Sequence, residues 1–204
     1  MSEIACSRAS YLGGAMRSRL SVLLLPFVLW AQPVLATGFD QTFSLQGIVF
    51  RVTSANQGSV NTLRILPSGR LKQRAPIEQE IMGTVTGAEI ADLNADGWPE
   101  IYVYVTSAGS GSYGTVLGYA VNRGKSVSPV HLPDLADEPT VARGYRGHDE
   151  FAVIENTLAR RFPLYREGDL NAKPSGGLRQ LQYRLKAGEA GWVLQMEKAK
   201  TLDF

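Results

Sequence analysis

Residues 107–114 read SAGSGSYG and set Gly109, Gly111 and Gly114 at the spacing G-x-G-x-x-G, directly behind the apolar run IYVYVT. Behind a strand, that spacing can cradle a dinucleotide, because glycines let the backbone approach a pyrophosphate held at the N-terminus of the next helix. The chemistry therefore needs a helix after Gly114. The chain instead continues TVLGYAVNRGKSVSP, with early β-branched residues, Gly118 and Gly124, a period of two, and Pro129. That pattern predicts a second strand and a turn. Asp134 lies where an acidic ribose ligand would be sought, but within HLPDL, a proline-marked loop with no helix before it. The same residues read better as a hairpin tip. Ser107, Ser110 and Ser112 offer hydroxyls and backbone N–H groups with little bulk. Tyr113 adds a flat apolar body with a polar end, the composition of an interface anchor.

Other constellations carry less. DLNADGWPE sets oxygens at Asp92, Asn94 and Asp96 before Gly97, with Glu100 behind, in the manner of a calcium loop. A full EF-hand needs an acid at its twelfth position, and that position is Val103. An Asx-rich turn feeding a strand explains the same residues through side-chain to backbone bonds, so Asp92, Asn94 and Asp96 are calcium candidates only. His131 and His148 are the two histidines; no third spaced His or Cys accompanies HDE at 148–150, so no metal site is expected there. Neither Ser110 nor Ser112 sits in G-x-S-x-G. Glu155 with Glu167 or Asp169 could be drawn as a glycosidase pair, yet nothing distinguishes them from a solvated face. Trp98 and Trp192 read as core or sheet-face residues, and PSGG at 174–177 as a plain loop that could also join a binding rim.

These residues must be carried by strands. RQLQYRLK alternates, with Leu181, Tyr183 and Leu185 on one face; AGEAG comes next, then WVLQMEK with Trp192, Leu194 and Met196 in phase. That predicts a hairpin with one buried face. GTVLGYAV alternates before a turn at NRGK, and FSLQGIVFRV and TLRILP are further strand candidates. Short strands with frequent glycine predict an antiparallel sandwich or barrel. DEFAVIENTLARRFPLY fits two periods: Phe151, Ile154, Leu158, Phe162 and Tyr165 form a helical stripe with Asp149 as N-cap, while Ala152, Ile154, Leu158, Phe162 and Leu164 fit a strand.

The 204-residue chain begins with basic residues ahead of LSVLLLPFVLW and then AQPVLA, which reads as a secretory signal peptide, residues 1–36, cut after Ala36. The apolar run is too short for a membrane span, which needs about 20 residues. Met16 can serve as the start, since residues 1–15 add nothing a signal needs. The segment holds Arg8, Arg17, Arg19 and Glu3; without them the 21 basic and 19 acidic side chains become 18 of each, and net charge falls from +2 to zero. No basic stripe interleaved with aromatics supports nucleic-acid binding. The single cysteine, Cys6, lies upstream of the apolar run, so the mature domain, 37–204, is expected to stand without disulfide, thiol chemistry or lipid anchor. The expected location is the periplasm.

DLNADGWPEIYVYVTSAGSGSYGTVLGYAVNRGKSVSPVHLPDL resembles the periplasmic inhibitors of invertebrate-type (i-type) lysozyme of Gram-negative bacteria. The family's marker is S-G-x-Y, here Ser110-Gly111-Ser112-Tyr113, and the likeness runs on through YRGHDEF, RRFPLY and GGLRQLQYRL. The resemblance implies a two-layer antiparallel β-sandwich with a protruding hairpin loop at 106–115, which tips 151–165 toward strand. It also implies a non-enzymatic protein without cofactor whose partner is an i-type lysozyme, and it leaves room for a homodimer. Ser110, Gly111, Ser112 and Tyr113 are the expected partner-binding residues, with Ser107, Gly109 and Gly114 supporting the loop. A secreted calcium- or glycan-binding sandwich using the Asp92–Glu100 loop is the alternative, and a hydrolase comes third.

Overall fold

Two sheets account for nearly all regular structure in the computed structural model, which describes residues 38–203. The expected signal peptide, with Cys6 and Met16, lies outside the described residues. The first sheet is an antiparallel meander of β1 (Phe39–Leu45), β2 (Ile48–Ser54), β3 (Val60–Gly69) and β4 (Ile77–Met82). The second contains β5 (Thr84–Ala91), β6 (Glu100–Thr106), β7 (Gly114–Asn122), β8 (Ser126–His131), β9 (Glu150–Ile154), β10 (Thr157–Pro163), β11 (Leu178–Gly188) and β12 (Gly191–Leu202), in the order β5-β6-β7-β8-β12-β11-β10-β9. Every pairing is antiparallel except β8 with β12, where Val130 faces Trp192. The expected all-β sandwich is therefore the observed fold, with one parallel seam joining two four-strand meanders. A 3-10 turn at Leu135–Asp137, capped by Asp134, and a single helical turn, α1 (Pro139–Ala142), interrupt it.

Local chemistry sets the hairpins. Gln46 and Gly47 (φ +52° and +80°) turn β1 into β2, and Arg123 and Gly124 (φ +50° and +67°) turn β7 into β8. Two successive positive φ values match the twist of the flanking strands. The alternation in β11 buries Leu181, Tyr183 and Leu185, as the sequence predicts.

The larger sheet curls until its two edge strands meet. Glu89 on β5 accepts the Val153 N–H of β9 and the Tyr104 hydroxyl of β6, so a side chain bridges the edges. Two cores result. Ile101, Val103 and Val105 on one face of β6 pack against Ile48, Phe50, Val52, Leu63 and Ile65 of the smaller sheet. Tyr102 and Tyr104 on the other face pack within the curl, against Leu158, Phe162, Leu181 and Tyr183. Burial on both faces is why β6 reads as an unbroken apolar run.

Residues 150–163 are strands, and the ambiguity of their pattern has a structural cause. The turn at Glu155–Asn156 flips the phase: Phe151 and Val153 face the core from β9, whereas Leu158, Arg160 and Phe162 do so from β10. Ile154, which fits both expected stripes, is 39% exposed. Asp149 is not a helix cap; it has another task.

Candidate functional site

The β6–β7 hairpin closes at the pair Thr106 and Gly114, and residues 107–113 form its tip. Ser107 N–H donates to the Tyr113 carbonyl (2.8 Å), and the Ser107 hydroxyl accepts Tyr113 N–H (3.0 Å). Ser112, at φ +43°, donates its N–H to Gly109 O (3.2 Å), closing a tight turn; Gly109 itself sits at φ +121°. Ser107 is thus an internal brace. Gly111 leaves room for its neighbour, since a Cβ there would lie 2.4 Å from the Tyr113 ring and displace it. Its lack of a side chain serves the loop's own packing.

Two neighbouring segments brace the tip. His148 N–H donates to the carbonyls of Gly111 (2.8 Å) and Ser112 (3.2 Å), and the Asn171 side-chain amide donates to the Ser110 carbonyl. Gly114 N–H donates to Asp149 Oδ2 (2.8 Å). At Gly147 a Cβ would sit 2.0 Å from the Gly111 carbonyl oxygen, which holds that position to glycine. The result is a sorted polarity. Carbonyls of Ser110, Gly111 and Ser112 accept from the two bracing segments, while the N–H groups of residues 108–111 find no acceptor among the described residues. The hydroxyls of Ser110 and Tyr113 also have no hydrogen-bond partner among the described residues; Ser110 is exposed and Tyr113 is 51% exposed. Ser112 is half-buried, its hydroxyl 3.5 Å from Gly109 O.

Beneath the tip lies a buried ionic cluster. Arg160 Nε is 2.7 Å from Asp149 Oδ1, Tyr145 donates its hydroxyl to Asp149 Oδ2 (2.6 Å), and Arg160 donates to the Tyr145 oxygen (2.9 Å). Tyr113 meets Tyr145 edge-on at 5.7 Å, and Tyr145 meets Phe162 at 4.7 Å. The Arg160 guanidinium lies over Tyr145, Phe151 and Phe162 at 5.2–5.5 Å. Burial opposes the Arg160 cation, but the Asp149 carboxylate outweighs it, and the guanidinium's pKa lies above its ordinary value. Burial, then the bond to Asp149, pushes the Tyr145 hydroxyl up. This cluster was not singled out from sequence. One signal was present: Arg160 interrupts the apolar register Leu158–Phe162, and a charge in core phase needs a buried partner. Nothing in the sequence says that the partner is Asp149 or that Asp149 reaches Gly114.

The Asp92–Glu100 loop joins β5 to β6 in the same sheet as the tip. Asp92 accepts the N–H groups of Asp96 (3.0 Å) and Gly97 (2.9 Å) and the Gln46 amide (2.8 Å); Asn94 accepts Asp96 N–H (3.1 Å), and Asp96 accepts Trp98 N–H (2.9 Å). Oxygens of Asp92, Asp96 and Glu100 converge within 4.8 Å, a donor set of the kind a hard cation takes. The bonded turn accounts for Asp92, Asn94 and Asp96 without a cation. Glu100 is 1% exposed and accepts Leu93 N–H (2.9 Å). Its carboxyl is pushed up to about 8, first by burial and then by the charges of Asp92 and Asp96.

The other residues picked out in the sequence lie in loops and beside the cores. Asp169 accepts Arg166 N–H (2.7 Å) and Ser175 N–H (2.8 Å), bonds that hold its carboxyl below the usual range, so it organises the loop containing PSGG. Glu155 lies in the β9–β10 turn. Trp98 packs beside the smaller core, and Trp192 donates its indole N–H to Asn122 (3.0 Å). A scan against models of known protein families finds no match to this chain, and a search of curated proteins finds none.

Proposed function

We propose that the protein is a non-enzymatic inhibitor of i-type lysozyme, acting in the periplasm through Ser110, Gly111, Ser112 and Tyr113. One observation carries this reading: the carbonyls of Ser110, Gly111 and Ser112 are taken up by His148 and Asn171, while the N–H groups of residues 108–111 and the hydroxyls of Ser110 and Tyr113 are left without partners among the described residues. A lysozyme cleaves glycan with a pair of carboxyl groups in a cleft, and such groups are chiefly acceptors. A slim, braced, donor-rich loop fits that acceptor site. Hydrogen bonds to a charged acceptor are worth about 1.5–3 kcal/mol each. Bracing by His148, Asn171 and Asp149 supports the reading further, because a pre-ordered loop loses less entropy on binding.

The test is a lysis assay in which the protein is titrated into an i-type lysozyme and, in parallel, a chicken-type lysozyme. Inhibition of the i-type enzyme alone, lost in a Ser110→Ala, Tyr113→Ala double variant, is expected. Equal inhibition by parent and double variant would remove the loop from the mechanism.

A second reading, a cation-binding module using Asp92, Asp96 and Glu100, is favoured by the 4.8 Å convergence of their oxygens. Calcium-dependent melting separates it from the first.

A further inference from the structure

We infer that the partner surface is a two-loop platform, in which Leu170 and Arg146 contact the partner protein beside the hairpin tip. The inference rests on the inhibitor reading and extends it to residues outside 107–114. The segment between β10 and β11 is folded around Asp169, which takes donors from Arg166 and Ser175, and Lys173 N–H donates to Leu170 O (2.9 Å). An organised loop of this kind usually covers its apolar residue. Here it presents one: Leu170 is 69% exposed. Tyr113 and Leu170 are two of only five large apolar side chains left exposed among the described residues.

The two loops hold a fixed mutual position. Asn171, next to Leu170, donates to the Ser110 carbonyl, and its own carbonyl accepts the Tyr165 hydroxyl (2.9 Å). His148 lies between them, with its N–H on Gly111 O and its ring nitrogen 3.4 Å from Asn171 Oδ1. Arg146 adds charge. Its guanidinium lies 5.1 Å over the Tyr165 ring and donates to the Asp169 carbonyl (3.1 Å), which holds an exposed cation in place. The Asp149 carboxylate is paired with Arg160, whereas Asp169, bonded by the neutral donors Ser175 and Arg166 N–H, and exposed Glu167 keep two negative charges beside the three positive ones of Arg146, Arg166 and Lys173. The platform is therefore apolar at two points with a net charge of 3 − 2 = +1 around them, which complements a cleft bearing carboxyl groups. Tyr113 and Arg146 are of the side-chain types enriched at binding hot spots, and Leu170 adds exposed apolar area to the same platform.

The experiment uses protein expressed from the full 204-residue sequence. Leu170→Asp and Arg146→Glu are titrated against the i-type lysozyme, with melting curves as a check on folding. Met82→Asp serves as control, since Met82 is 68% exposed on the smaller sheet. Each platform variant is expected to weaken inhibition about tenfold or more, Arg146→Glu chiefly through the association rate and with altered salt dependence, while Met82→Asp stays at parent level. If the parent inhibits and both platform variants inhibit within about twofold of it, the contact is confined to the hairpin tip and the inference is overturned. A parent that does not inhibit overturns the lysozyme reading and this extension together.

Discussion

Arg160 and Asp149 form an ion pair of 2.7 Å whose side chains are 6% and 0% exposed, and the other oxygen of that carboxylate, shared with the Tyr145 hydroxyl, holds Gly114 N–H at the foot of the hairpin tip. The pair is thus the joint between the core and the candidate binding loop. Arg160→Met leaves a buried carboxylate without its cation, and removing one partner of such a pair costs about 3–5 kcal/mol. A clear drop in Tm is the expected result. Thermal melting at neutral pH checks it, and a Tm equal to that of the parent would show that Tyr145 and Gly114 alone satisfy Asp149.

Ser110→Ala and Tyr113→Phe each delete one exposed hydroxyl that makes no internal bond among the described residues. Neither should move Tm. Each should weaken lysozyme binding by roughly ten- to a hundredfold, the worth of one charge-assisted bond. Calorimetric titration reads both effects, and unchanged affinity for both variants would sever these hydroxyls from binding.

Gly111→Ala and Gly147→Ala should differ although both disturb the tip. At Gly111 the added Cβ meets the ring of an exposed tyrosine, 2.4 Å away, and the ring can swing aside. Stability should fall by less than about 1 kcal/mol, while the displaced Tyr113 costs affinity. At Gly147 the Cβ meets a backbone carbonyl at 2.0 Å, and φ is +92°. A loss of about 1–3 kcal/mol is expected there. Equal Tm shifts for the two variants would contradict the distinction between a yielding ring and a fixed carbonyl.

Glu100 makes a pH-dependent contribution. Its folded pKa of about 8 lies above its ordinary value of 4.5, so between those values the folded state keeps a proton that the unfolded state releases. The contribution is fully present below pH 4.5 and is lost as pH rises through 8. Glu100→Gln removes the penalty for ionising a buried carboxyl. The variant should be more stable than the parent at alkaline pH, by up to about 5 kcal/mol, with the gap closing toward acid. A constant gap across the range would exclude Glu100 as its source.

Calcium should leave Tm unchanged, because Asp92, Asn94 and Asp96 already accept loop hydrogen bonds. Melting in millimolar calcium and in chelator checks this. A rise in Tm with calcium that disappears in Glu100→Gln would establish the cation-binding reading instead.

Period two in RQLQYRLK and WVLQMEK was enough to place their hairpin, because one-sided burial imposes alternation on a strand, whereas GTVLGYAV forms its strand with both faces buried. The glycine and serine content of 107–114 marked the tip for the same local reason: the backbone there must turn tightly. Local pattern could not settle 151–165, since the turn at Glu155–Asn156 changes which face is buried and blends two short strands into an apparent helix period. Nor could it reveal that the larger sheet curls to bring Glu89 against Val153, which gives β6 its two buried faces. The bracing of the tip was equally hidden. Asp149 and Asn171 lie 35 and 61 residues from the loop atoms they hold, and Arg160 shows in sequence only as a charge in core register. Periodicity reports the face on which a side chain lies, because that depends on a residue's immediate neighbours. Which distant face it meets depends on sheet curl and strand order, and those are decided only when the whole chain packs.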